Sequence, residues 1–403
     1  MRVTALKSIL PRSNPNTAMS SPYLCDDYLT APHFPPRGPL EPWCASVSDH
    51  LQEAILDRHA HIDEIADGFE QAAEIALLLG RLGEAKKLRL AAIAYFMTEA
   101  SAGSDTFATM PALWMQLGLA RIERALGRYD EALLVFEHIA ALGLGGSFDD
   151  GSLTLTPAQI AEIESSFPES AARLRSVAIA ETLETLVRAG RHDLAITAAR
   201  ARRADDPPWL GAFRCETIAT ALGRMGLLRE TIVYLASVIT HRPEYPRLAF
   251  EQKRAEALAS DGRFEEAAAR LAFITESLEQ QWTTASATLS DVALAARTSL
   301  LSTILGRHAE SARLAARARE FARELGDVPL EAELALRVME SDAPSEVRAD
   351  AADALTHILL ATGYAITLPR GGVRPFEAAM PPANEPRAPT YPALRDRLYA
   401  IAA

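Results

Sequence analysis

The chain has little of what most functional classes require. Its 403 residues contain three cysteines, Cys25, Cys44 and Cys215, with no C-x-x-C spacing among them. That pattern supports neither a cysteine zinc site nor a disulfide framework, and three reduced thiols suit a cytoplasmic protein. No run of 18 uncharged apolar residues occurs, so no membrane span is expected. The apolar stretch within Met1–Leu10 is short and broken by Lys7, unlike a secretory leader. An excess of positive charge is missing as well. The net charge of −12 argues against a nucleic-acid partner, because neutralising phosphates needs a basic face.

Catalytic signatures are equally scarce. There is no Gly-x-Ser-x-Gly elbow and no phosphate-binding lysine loop, and Gly143-Leu-Gly-Gly146 is not a dinucleotide fingerprint. His59, His61 and Asp63 lie close in sequence, but only His59 and Asp63 share a helix face. A metal there would need ligands from elsewhere. Asp149, Asp150 and Gly151 read as a turn. No metal and no cofactor is expected.

Proline is absent from most of the chain and concentrated at its ends. Eight of the 24 prolines lie between Pro11 and Pro42, and seven more between Pro369 and Pro392. Proline removes a backbone donor and clashes with the preceding turn. Residues 1–45 and 366–403 therefore read as non-helical, proline-rich arms, the second ending in a short helix. Tyr23, Tyr28, Phe34 and Trp43 in the first arm suggest that it docks on the body. The Tyr23–Trp43 segment is a candidate internal occupant, because a proline-rich chain loses little entropy on docking.

Between the arms, residues 46–365 carry helical periodicity and a recurring phrase. A glycine ends one helix, a bulky residue follows two positions later, and acidic residues and alanine open the next. Copies start at Gly80, Gly127, Gly190, Gly226, Gly262 and Gly306. Glycine accepts the left-handed conformation that terminates a helix. Acidic residues complement the next helix dipole, and the bulky residue is expected to plug the gap between the paired helices. The glycines at 190, 226 and 262 are 36 residues apart, a period typical of helical arrays.

These residues resemble the tetratricopeptide repeat family over roughly residues 65–325. One copy holds Leu119, Ala120, Gly127, Tyr129, Ala132, Phe136 and Ile139. A second holds Gly226, Leu228, Leu235, Val238 and Pro243. A third holds Ala255, Gly262, Phe264, Ala267, Leu271 and Ile274. The family repeat is about 34 residues; the wider spacing here implies longer helices or loops. The segment 141–156 is a glycine-rich insertion, and Thr156-Pro157 is suited to restart a helix. The resemblance implies an all-α, right-handed solenoid of antiparallel helix pairs. It also implies that first helices line a concave groove.

On that face, Trp114, Leu117, Arg121 and Arg124 share one stripe. Equivalent positions are Glu181, Glu184 and Arg188, then Phe213, Glu216, Thr220 and Arg224, then Gln252, Lys253 and Glu256. Trp114 and Phe213 are either groove anchors or core, and the charges are either contacts or a solvated face. Family members that capture a C-terminal carboxylate use asparagine and lysine on this face. The three asparagines here, Asn14, Asn16 and Asn384, all lie in the arms. The expected function is a non-catalytic scaffold or adaptor binding a protein or peptide, as a monomer or homodimer. A regulatory peptide sensor without its own DNA-binding domain, or an enzyme with a site built by the insertion and the arms, are the alternatives.

Overall fold

The computed structural model describes residue 47 and residues 62–373, except 79–80, 104–107, 143–147, 150–152, 202–205, 341–342, 363–366 and 369–371. Both arms fall almost entirely outside these residues, as do Gly80, His59 and His61. Fifteen helices lie within the described residues. Fourteen form seven successive pairs. The first helices are α1 (Ile62–Leu78), α3 (Thr109–Ala125), α6 (Pro168–Arg188), α8 (Pro208–Arg224), α10 (Arg247–Ser260), α12 (Leu289–Ile304) and α14 (Val328–Glu340). Their mates are α2 (Leu82–Gly103), α4 (Tyr129–Ala140), α7 (His192–Arg200), α9 (Leu228–His241), α11 (Phe264–Thr284), α13 (His308–Leu325) and α15 (Ser345–Thr362). The extra helix, α5 (Pro157–Ser166), belongs to the insertion.

The recurring phrase builds the turns within pairs. Gly262 has φ +79°, its N–H donates to Ala259 O at 3.1 Å, and the Arg263 N–H donates to Leu258 O at 2.9 Å. That pair of bonds satisfies the last carbonyls of α10 and reverses the chain in three residues. Gly127, Gly190, Gly226 and Gly306 repeat the geometry. A further copy at Gly326 joins α13 to α14, where the sequence phrase is too degraded to read.

The bulky residue after each turn does not plug the pair. Phe264 is 49% exposed, and Tyr129, His192 and His308 are only partly buried. The residue three positions later is the buried one: Ala132, Ala195, Ala267 and Ser311 are all 0% exposed. The turn sets the helix so that its first residue faces outward and its fourth faces the mate, one turn on. Small side chains there let the two helices approach closely.

Pairs stack in two layers. Each first helix packs on the next first helix: α1 on α3, α3 on α6, α6 on α8, α8 on α10, α10 on α12 and α12 on α14. Each second helix except the last, α15, instead packs between consecutive first helices. The insertion adds core rather than a bare loop. Strand β1 (Phe148–Asp149) pairs antiparallel with β2 (Thr154–Leu155), and Thr156 caps α5 in a capping box with Gln159. Leu153, Leu155, Ile160 and Ile163 are buried in the same cluster as α1 to α4. After α15 come β3 (Thr367–Leu368) and β4 (Gly372–Val373), also antiparallel.

Buried apolar side chains form one large cluster from Val47 to Ala178 and another from Ile232 to Leu355. Three small clusters lie between them, spread over α4 and α6 to α10. Among the described residues, no helix is long and apolar enough to cross a membrane.

Candidate functional site

The first helices carry the stripe expected from sequence, and the structure turns much of it into ion pairs. On α3, Arg121 lies 2.6 Å from Glu181 Oε1 of α6, and Arg124 Nη1 lies 2.7 Å from Glu181 Oε2. Arg124 also reaches Glu184 at 3.2 Å, and Arg188 Nε donates to Glu184 at 2.7 Å. These five side chains form one continuous network across two helices. Trp114, two turns before Arg121, is partly buried and packs on the first cluster.

A second group joins α8, α10 and α12. Glu216 and Lys253 stand 3.6 Å apart, 0% and 4% exposed. Phe213 is 2% exposed and belongs to the core, so its ring is not presented to a partner at the surface. Arg224 is partly buried at the end of α8. Thus Arg121, Arg124, Glu181, Glu184 and Arg188 come together, Glu216 and Lys253 come together, and Trp114 and Phe213 pack with the apolar clusters.

The structure adds residues that the stripe missed. Arg297 of α12 donates to Glu256 of α10 at 2.7 and 3.2 Å, and the Thr298 hydroxyl donates to Gln252 at 3.0 Å. Arg319 of α13 meets Glu331 of α14 and Asp350 of α15, and Arg323 also bonds Glu331 at 2.9 Å. A positional signal for Arg297 was available. Glu181, Lys253 and Arg297 each stand nine residues before a turn glycine, while Arg121 and Glu256 each stand six before one. The pairs Arg121–Glu181 and Glu256–Arg297 are the same register contact with the signs exchanged.

Electrostatics follow from burial and pairing. Desolvation alone would raise the Glu181 carboxyl, but Arg121 and Arg124 outweigh it and hold it below the ordinary carboxylate value. Arg121 is held protonated by the same contact, against the cost of its burial. Arg89 of α2 is the opposite case. It is 3% exposed, burial lowers its pKa, and its Nε has no hydrogen-bond partner among the described residues.

A separate groove of about 580 Å³ lies in the layer of second helices, between α13 and the start of α15. Ala312, Ala316, Phe321, Pro344 and Val347 supply its apolar lining. Arg317 stacks over Trp282 and Phe321 beside it, at 6.0 Å from each ring centre. None of the stripe residues reaches this groove. Among the described residues, no group of three or more His, Cys, Asp or Glu side chains is placed to hold a metal ion.

The fold and the stripe define an all-helical array of packed helix pairs with a polar seam along one layer. No protein-family model matches the chain, and no curated protein matches it significantly.

Proposed function

We propose that this chain is a non-catalytic scaffold or adaptor, a right-handed solenoid of tetratricopeptide type whose first helices line a concave groove for a protein or peptide. The carrying observation is the α3–α6 network. Its side chains are held in place by one another yet keep 14–29% of their surface for Arg121, Arg124, Glu184 and Arg188. Ordered, partly exposed arginines and carboxylates beside Trp114 are the kind of preorganised surface that a segment of mixed charge recognises. The concave assignment is supported by the direct packing of first helix on first helix, since the layer in closer contact lies on the inside of a curve. Acidic net charge favours a polypeptide over a nucleic acid.

Simple charge reversal of the arginines would strand Glu181, so the test exchanges both sides. A variant with Arg121→Glu, Arg124→Glu, Glu181→Arg and Glu184→Arg keeps opposite charges facing while inverting the pattern a partner meets. Affinity capture from native lysate, with melting curves to verify folding, is the measurement. A polypeptide retained by the wild type and lost by the folded exchange variant is the expected result. Retention by both moves binding away from this seam, and capture of nothing by either defeats the reading.

A further inference from the structure

Helix α13 breaks two local rules on one face. Arg313, Arg317, Glu320 and Glu324 share an exposed stripe, and all four line the groove between α13 and the start of α15. Arg313 and Arg317 stand four residues apart, as do Glu320 and Glu324, so like charges face each other one turn apart twice. The two cations also lie toward the positive end of the helix dipole and the two anions toward its negative end, the unfavourable order. The charges that α13 pairs within its own chain obey the rule instead. Glu310 in the first turn meets Arg307, and Arg323 in the last turn meets Glu331 at 2.9 Å.

The chain itself does not offset this pattern. Arg313 Nε reaches Glu279 of α11 at 3.0 Å, yet its side chain stays 63% exposed. Arg317, Glu320 and Glu324 make no ion pair with a described residue. Arg317 is nonetheless held in place, stacked over Trp282 and Phe321. Beside the charges, Ala312, Ala316, Phe321, Pro344 and Val347 give the groove an apolar floor. A solvated face needs neither that floor nor a segregation of charge that opposes its own helix. Both suit a covering surface whose charges run in the reverse order.

A second copy of α13, laid antiparallel, supplies that order. A two-fold axis at the level of Ala318 and Arg319 sets Arg317 opposite Glu320 of the second copy and Arg313 opposite its Glu324, each contact occurring twice. It also sets Ala316 against Phe321, small against large, and places the two helix dipoles head to tail. The signs run two positive then two negative, at spacings of four, three and four residues. Both the spacing and the sign pattern are their own complement on reversal. A face shaped for an unrelated partner has no need of that symmetry.

We propose that the groove of α13 and α15 is a homodimer interface, closed by two antiparallel copies of α13. None of the seam residues lines it, so pairing leaves the α3–α6 network of each copy uncovered and one particle carries two. Two linked sites hold a bivalent partner far more tightly than either site alone. The interface does not depend on what the seam binds.

The test uses the full chain and sedimentation velocity over a concentration series. Arg317→Glu and Glu320→Arg each set like charges opposite one another twice, and each is expected to weaken self-association about tenfold. Mixed in equal amounts, the two variants regain opposite charges at both contacts, and a heterodimer of near wild-type affinity is expected. Both positions are exposed, and melting curves verify that the variants fold. A wild type that stays monomeric throughout, a dimer that neither change weakens, or a mixture without rescue each overturns the proposal. A second measurement leaves the charges intact. A photoreactive p-benzoylphenylalanine replaces Ala309, which is exposed one turn before Arg313. Expected are adducts between chains, increasing with concentration, to Glu324–Val328 of the second copy. Adducts within one chain only, or to another part of the second copy, overturn it. A dimer of this kind with no captured polypeptide would leave this inference standing and sink the groove-binding function. Capture by a monomer would do the reverse.

Discussion

Arg89 reaches from α2 to α3, where its Nη1 lies 3.7 Å from Met115 Sδ. Gly118 of α3 makes room for it: a Cβ at Gly118 would lie 2.0 Å from that nitrogen. In an exposed helix, Gly→Ala would stabilise by up to about 1 kcal/mol. Here the guanidinium is enclosed and cannot swing away, so Gly118→Ala is expected to cost about 1–3 kcal/mol. In an Arg89→Met background the same change is expected to be neutral or stabilising, and urea titrations of the four proteins measure the difference. Glu181 makes a second prediction at this scale. Its folded pKa is depressed, so its contribution is present at neutral pH and lost as pH falls through the folded value. The stability gap between wild type and Glu181→Gln is expected to be constant above about pH 5 and to shrink below about pH 4. A gap that grows on acidification would contradict the pairing with Arg121 and Arg124.

Helix α12 starts with its own capping box: the Thr288 hydroxyl accepts from the Asp291 N–H, and Asp291 accepts from the Thr288 N–H. Thr288→Ala is expected to lower stability by about 1 kcal/mol, read as a shifted urea midpoint with an unchanged slope. The matching device at Thr156 and Gln159 opens α5, and the Thr156-Pro157 pair announces it in the sequence. Turn glycines, helix starts and the helical period were legible for the same reason: each is a short-range constraint on a few adjacent residues. Strands β1 and β2 were not, because two residues apiece carry no period. The partners in the polar seam were legible only in part. Arg121 and Glu181 are 60 residues apart, whereas Glu256 and Arg297 are 41 apart, so no fixed spacing links successive helices. Arg121, Glu181 and Lys253 stood on the stripe, but who meets whom depends on how helix pairs stack. Likewise Phe213 fits an anchor or a core residue equally well until its neighbours are known.

At the level of the molecule, two large apolar clusters hold the ends of the array and three small ones hold the middle. Helix α7 has nine residues and three buried ones, Ala195, Ile196 and Ala199. A linear array distributes its stability pair by pair. Amides in α7 are therefore expected to open at least ~1.4 kcal/mol more easily than those of α3 or α12 in native-state hydrogen exchange. Uniform protection with a single coincident urea transition would contradict this. The five glycines within pairs offer a way to see the same property. Each has φ between +74° and +79°, and an added Cβ would meet no atom within 4 Å at any of them. Glycine to alanine thus imposes the same purely local penalty at five known stations, like identical weights hung along a beam. Any spread in the measured effect then reports how far each station's load is shared, which makes the punctuation of the repeat a built-in gauge of its cooperativity.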